Sequence, residues 1–237
     1  PTKIAVIFNG ADESVFSPGR PRQREDPDRF VLISHGTVEE RYGLDTIIRA
    51  VALLKQEIPG IRLDIYGDGS ELARLHRLAE DLDVQHHVRF SDGYVPRAQL
   101  VDALGEADAG VVAMKRDAFR DLTLCNKMYD FIAMRKPAIV SRTRSAQSYY
   151  DDACFQWFTS DDEHELASAV RGLYANPKLG ERIAERAARA NEPHRWIHQK
   201  RLYLRVVKCV LDTGTGADVF AETLILARRQ REGRDAS

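Results

Sequence analysis

Short apolar runs alternate along this chain with amphipathic stretches of helical period, from the N-terminus to about position 175. Ile4 to Phe8, Phe30 to Ser34, Leu63 to Tyr66, Val88 to Phe90, Gly110 to Ala113, Ala138 to Ser141 and Phe155 to Phe158 read as strands. They are apolar along most of their length instead of alternating, as strands covered on both faces of a parallel sheet are. Between them, Leu44, Ile47, Ile48, Val51 and Leu54 share one helical face, and Leu72, Leu75, Ala79 and Leu82 share another. This order of elements predicts an α/β fold with one parallel sheet and helices packed on both its faces.

Boundaries come from the polar positions. Ser160 with Glu163 three residues on predicts a capping box, and Asn176 before Pro177 predicts an N-cap with proline at the first helical position. From Arg195 onward Trp196, Tyr203, Val206 and Val210 recur at helical spacing, predicting a long helix that no strand follows, with Trp196 in the core. Beyond Gly214, Phe220, Leu224 and Ala227 form a further apolar face before a charged end, Arg228 to Ser237, that reads as a solvated tail. Pro18 to Asp28, rich in Arg, Pro and acids, reads as a surface loop.

Composition narrows the classes. At 237 residues and 43% hydrophobic the chain can bury a substantial core, and one main domain is the simplest reading. A formal net charge of −1 lacks the footprint of a protein that follows phosphate backbones, which argues against nucleic acid as a partner. Cys125, Cys154 and Cys209 show no paired spacing, which fits a reducing cytoplasm. Neither an apolar run of transmembrane length nor a signal-peptide pattern is present, so the segment is expected to be soluble.

In an open parallel sheet the carboxyl ends of the strands carry the ligand. Those ends are Ser34 to Thr37, Gly67 to Ser70, Ser91 to Gly93, Met114 to Asn126 and Ser141 to Ser145. Glycine in such turns lets backbone approach a phosphate, but short βα turns need glycine whatever they bind, and Gly67-Asp68-Gly69 alone is better explained by the turn. The stronger signal is Lys127-Met128-Tyr129-Asp130-Phe131, opening a helix after the loop Asp117 to Asn126 and leading into Arg135-Lys136-Pro137-Ala138-Ile139-Val140. His194 and His198 have the spacing of a metal pair, yet Trp196 lies between them and no acidic third ligand is near, so no metal is expected. Cys125, before the helix, reads as a small loop residue.

In order and spacing these segments resemble the donor half of the retaining nucleotide-sugar glycosyltransferases of the GT-B type, glycosyl transferases group 1 or family 4. The resemblance runs through Ile7-Phe8-Asn9-Gly10-Ala11-Asp12 with Phe16-Ser17-Pro18, His35-Gly36-Thr37 to Arg41-Tyr42-Gly43-Leu44-Asp45, Ile65 to Gly69, Val88-Arg89-Phe90 with Gly93-Tyr94-Val95, and the Lys127 helix. It implies a single Rossmann-like domain over 1–212, half of a GT-B fold, with a C-terminal helix and flexible tail over 213–237 and an N-terminal acceptor domain that this chain lacks. By the resemblance, Asp130 holds the ribose where the family usually has Glu, and Lys127 meets the diphosphate, with Arg41 as a second cation. Gly36, Thr37, Asp68, Gly69 and Asn126 would line the same ligand. Two departures stand out. Leu122 occupies the position of the family's other acid, with Asp121 beside it, and Thr37 and Tyr42 stand where Arg and Lys usually meet the diphosphate.

The function so implied is transfer of a sugar from a nucleoside-diphosphate sugar to an acceptor, with retention, in polysaccharide biosynthesis, when the chain is joined to its N-terminal half. The alternatives are a non-catalytic nucleotide-sensing or interaction module and a GT-B type epimerase or phosphorylase. No cofactor is expected beyond the donor. Contact with membrane or glycolipid is expected only through the missing domain, and the face at Phe220, more than the Trp196 and Tyr203 stripe, is expected to be the surface that meets that domain.

Overall fold

A computed structural model of the chain describes residues 5–19 and 28–213. They divide between two compact units, Ala11–Glu192 and a smaller one that joins Pro1–Gly10 to Pro193–Ser237.

In the larger unit β1 (Arg29–His35), β2 (Gly60–Tyr66), β3 (Val88–Phe90), β4 (Ala109–Val112), β5 (Ala138–Ser141) and β6 (Gln156–Phe158) form a six-stranded sheet in the order β3-β2-β1-β4-β5-β6. Every pairing is parallel. The connections are α1 (Leu44–Leu54), α2 (Leu72–Asp81), α3 (Arg97–Glu106), α4 (Asn126–Ala133) and α5 (Arg144–Tyr149), with α6 (Glu163–Ala175) and α7 (Pro177–Asn191) after the last strand. Strand order reverses between β1 and β4, and at such a switch point the loops leaving the two strands part and open a crevice at their carboxyl ends.

Alternate residues of β1 serve two cores. Phe30 and Leu32 pack with α1, α2 and α6, whereas Val31 and Ile33 pack with α3, α4 and α7. Helix α4 sits close to the sheet because β4 offers it a glycine: a Cβ on Gly110 would overlap the Phe131 ring. That contact sets the height of α4, and with it the position of the polar residues on its first turn.

The apolar runs mark β1 to β6 to within a few residues; the α1 face is buried as the periodicity predicts, and on the α2 face Leu75 and Ala79 are buried while Leu72 and Leu82 are half-buried against the same core. Three expectations need correction. The α6 cap is Asp162, whose carboxylate accepts from His164 N at 3.0 Å and Glu165 N at 2.8 Å. Asp161 adopts a left-handed φ of 62° and delays the helix start, which frees the Ser160 hydroxyl to accept from Arg116 N at 3.0 Å. Ala5 to Phe8 form no strand; in the smaller unit Phe8 N donates instead to Gln199 Oε1 at 3.0 Å. Trp196, expected in the core, is 37% exposed at the start of α8 (Trp196–Thr213), and Tyr203 and Val210 are exposed along the same helix. The face at Phe220 and the tail lie outside the described residues. No described helix is long and apolar enough to cross a membrane.

Candidate functional site

The loops after β1, β2 and β3 are fastened to one another. Gly36 N donates to Tyr66 O at 2.8 Å, Val38 N to Asp68 O at 2.8 Å, and Gly93 N to Gly67 O at 3.1 Å. Gly67, at φ +146°, passes so close to Gly36 that a Cβ would overlap its carbonyl oxygen, and a Cβ on Gly69 would do the same to Val38. The glycines of Gly67-Asp68-Gly69 are therefore accounted for by loop-on-loop packing. Asp68 is exposed and accepts from Gly69 N at 2.8 Å. Beside these loops, Asp64, Tyr66, Arg89, Ser91, Val95 and Gln99 line a cleft of about 220 Å³.

Across the switch point from Gly36 stands the first turn of α4. Met128, Tyr129, Phe131 and Ile132 are buried and hold the helix down, which fixes Lys127 and Asp130, three residues apart, as neighbours on its surface. A Cβ on Gly36 would lie 3.2 Å from Lys127 Cε, so the lysine runs directly against the end of β1. Lys127 is only 7% exposed, and no carboxylate among the described residues pairs with it. Its ammonium stands 4.0 Å from the centroid of the Tyr42 ring. Burial, with the Arg41 charge adding to it, pushes the Lys127 ammonium down to about 8.

Asp130, with a side chain 16% exposed, is pushed up to about 7 by burial. Next to it lies a residue of the first βα loop to which the sequence reading gave no role. His35, the last residue of β1, has Nε2 at 3.6 Å from Asp130 Oδ2, too far for a hydrogen bond, and its ring meets Phe131 edge-on with centroids 5.4 Å apart. Burial and then Lys127 push its imidazole down to about 3, and Nε2 has no hydrogen-bond partner. The available signal was a histidine closing an otherwise apolar buried strand, directly before Gly36. His35, Lys127 and Asp130 are thus each shifted toward the neutral form by withdrawal from water, and their grouping at a strand end marks a candidate functional site.

Of the other expected residues, Gly36 and Thr37 are half-buried beside this group, whereas Asn126 and Arg41 are exposed. Arg41 Cζ lies 5.1 Å from the Tyr42 ring centroid. Asp121 has a different setting. Its carboxylate takes Arg116 Nε at 3.0 Å, Arg116 Nη2 at 3.1 Å and Arg144 N at 2.9 Å, which holds it below the usual carboxylate range. Ser145 Oγ adds a bond to Thr123 O at 2.7 Å, so the loop from β4 is tied to α5. Leu122 is 70% exposed and Phe119 78%.

The chain matches the family model described as glycosyl transferases group 1 over residues 18–190. It is 31% identical over 195 residues to the lipopolysaccharide core biosynthesis glycosyltransferase LpsE of Rhizobium meliloti (strain 1021), covering 78% of this chain and 51% of that protein. It is 30% identical over 178 residues to the GDP-mannose-dependent alpha-(1-6)-phosphatidylinositol monomannoside mannosyltransferase of Mycolicibacterium smegmatis, covering 71% and 46%. The chain thus spans about half the length of these relatives. Among solved structures, it aligns with the C-terminal domain of a glycosyl transferase group 1 family protein (LpcC) from Francisella tularensis at TM-score 0.63 and 16% identity, covering 77% of this chain and 96% of that one. It aligns with Anabaena Alr3699/HepE in complex with UDP and glucose at TM-score 0.72 and 16% identity, covering 85% and 56%. The fold is that of a GT-B glycosyltransferase domain.

Proposed function

We propose, from the premise that the chain belongs to the glycosyl transferases group 1 family, that it binds the nucleoside-diphosphate sugar of a retaining glycosyl transfer at the crevice between β1 and α4. The observation that carries this reading is the buried Lys127, with no carboxylate paired to it among the described residues, one helical turn from the half-buried Asp130. Burying a charge is costly unless an opposite charge meets it, and among the described residues no carboxylate meets Lys127. A diphosphate would.

In this reading Lys127 and Arg41 meet the charge that develops on the departing nucleoside diphosphate as the glycosidic bond breaks. Asp130, ionised on binding, accepts hydrogen bonds from the vicinal ribose hydroxyls. Gly36 and Thr37 border the diphosphate, Asp68 and Gly69 lie on the adjoining loop, and Asn126 opens the helix whose first amides face the same charge. The cleft by Arg89 and Val95 would take the base. The acceptor belongs to an N-terminal half beyond this chain, and with it any contact with a membrane or glycolipid. HepE, which shares this fold and was solved with UDP and glucose, supports a nucleotide-sugar ligand.

Calorimetric titration of this chain with UDP, GDP, ADP and dTDP tests the reading. Saturable binding of at least one is expected, and of its sugar conjugate also. A chain that unfolds cooperatively yet binds none of them overturns it. The exposed Leu122, where the family pattern has an acid, favours a second reading, a nucleotide-binding module without transfer. Product analysis with the chain joined to its N-terminal half separates the two.

A further inference from the structure

The turn after β1 places an aromatic ring against the buried ammonium. Glu40–Tyr42 form a single 3-10 turn that ends at Gly43 with φ 58°. Lys115 N donates to Arg41 O at 2.9 Å, and Gly43 is packed so tightly on Ala113 that a Cβ would overlap its carbonyl oxygen. The backbone of the turn is thereby fixed to the end of β4, which places the Tyr42 side chain beside Lys127. Its ring centroid lies 4.0 Å from Lys127 Nζ, while Arg41 Cζ lies 5.1 Å from the same centroid.

A carboxylate at this position would neutralise the lysine and compete with an incoming anion. A ring face behaves differently, because its quadrupole attracts the cation yet carries no net charge. We propose, resting on the nucleotide-sugar reading above, that Tyr42 is a positioning residue: its ring stations the Lys127 ammonium at the diphosphate position and leaves the positive charge unspent. The same ring flanks Arg41, so the exposed cation and the buried one are held on one aromatic platform. The site then receives the diphosphate as a preformed cationic seat, without first breaking an ion pair.

The test is titration with UDP, GDP, ADP and dTDP, each compared with its nucleoside, on the wild-type chain and on variants at position 42. Tyr42→Phe keeps the ring and is expected to keep the wild-type affinity. Tyr42→Leu is expected to lose diphosphate affinity by roughly tenfold or more while nucleoside affinity holds. Pentafluorophenylalanine in place of Tyr42 keeps the shape but inverts the quadrupole, and the same selective loss is expected, which guards against a leucine variant that does not fold. Without the ring the ammonium also deprotonates more readily, so the alkaline fall in diphosphate affinity should begin at lower pH. A wild-type chain that binds no nucleoside diphosphate overturns the nucleotide-sugar reading itself. Binding by the wild type with undiminished diphosphate affinity in the fluorinated variant overturns the role of Tyr42 alone.

Discussion

The segment from Asp121 to Asp130 carries charge at both ends, and the two ends treat it in opposite ways. At Asp121 a carboxylate about as covered as that of Asp130 is saturated by Arg116 and by the Arg144 backbone, with its proton affinity lowered. At Lys127 and Asp130 a cation and an acid on a packed helix are withdrawn from water with no salt bridge to Lys127 and only the neutral His35 near Asp130 among the described residues, and each is displaced toward its neutral form. The first arrangement holds a loop in place and has little left to offer a ligand. The second is costly to the fold, a cost lowered by the shift of each group toward its neutral form and, in the proposed reading, by a diphosphate when it binds.

The sharpest way to break this contrast is Lys127→Met. Diphosphate affinity should fall by roughly ten- to a hundredfold, the ordinary worth of a charged hydrogen bond. The fold itself should become more stable near neutral pH. Lys127 titrates at about 8 in the folded chain against 10.5 when exposed. Between those values the unfolded chain holds the proton that the folded chain has released, so wild-type stability rises with pH across the window. The difference is worth on the order of 3 kcal/mol, and urea denaturation from pH 7 upward should show it shrinking between wild type and Lys127→Met. A variant that is less stable at pH 7 would mean that the buried ammonium supports the fold after all.

Asp130→Asn sharpens the same point with the opposite sign. The folded acid titrates at about 7 against 3.8 for an exposed Asp. Over that interval the folded chain keeps a proton that the unfolded chain has lost, so wild-type stability is fullest below pH 3.8 and declines until pH passes about 7. Asp130→Asn should therefore outlast the wild type in urea at pH 8 by a few kcal/mol and match it at pH 4. A gain of equal size at both values would point to packing, not ionisation.

The smallest effect is expected at the other end of the segment. Asp121→Asn removes the charge that Arg116 and Arg144 share, and it should change nucleoside-diphosphate affinity by less than about threefold, because the carboxylate is already taken up by those two partners and not by Lys127. Its signature is local: amide exchange across residues 116–123 should quicken while the α4 amides hold. A large loss of affinity would place Asp121 in the site.

How much of this was written in the sequence differs between the regions. Leu44, Ile47, Ile48, Val51 and Leu54 announce α1 because an amphipathic stripe is a local property, and the apolar runs announce the strands for the same reason. Helices α3 and α5 carried no such notice: α3 buries only Leu104 among its residues, and α5 spans six residues. The capping motif at Ser160 was misplaced by two residues because a left-handed Asp161 intervened, a choice of backbone that the motif cannot express. Trp196 carries an apolar signal whether or not anything covers it, so its exposure was not legible.

The site divides along the same line. The residue order determined that Lys127 and Asp130 share a helix surface and that Gly36 follows a buried strand, since spacing along one element needs no partner. It also gave the family. Only the folded chain brought Tyr42 beneath Lys127 and His35 beside Asp130, joined Asp121 to Arg116 and Arg144, and withdrew Lys127 and Asp130 from water. Burial and pairing depend on distances between elements far apart in the chain. Those distances are set by how α4 rests on Gly110 and how the loops leave the switch point, and no local pattern records them.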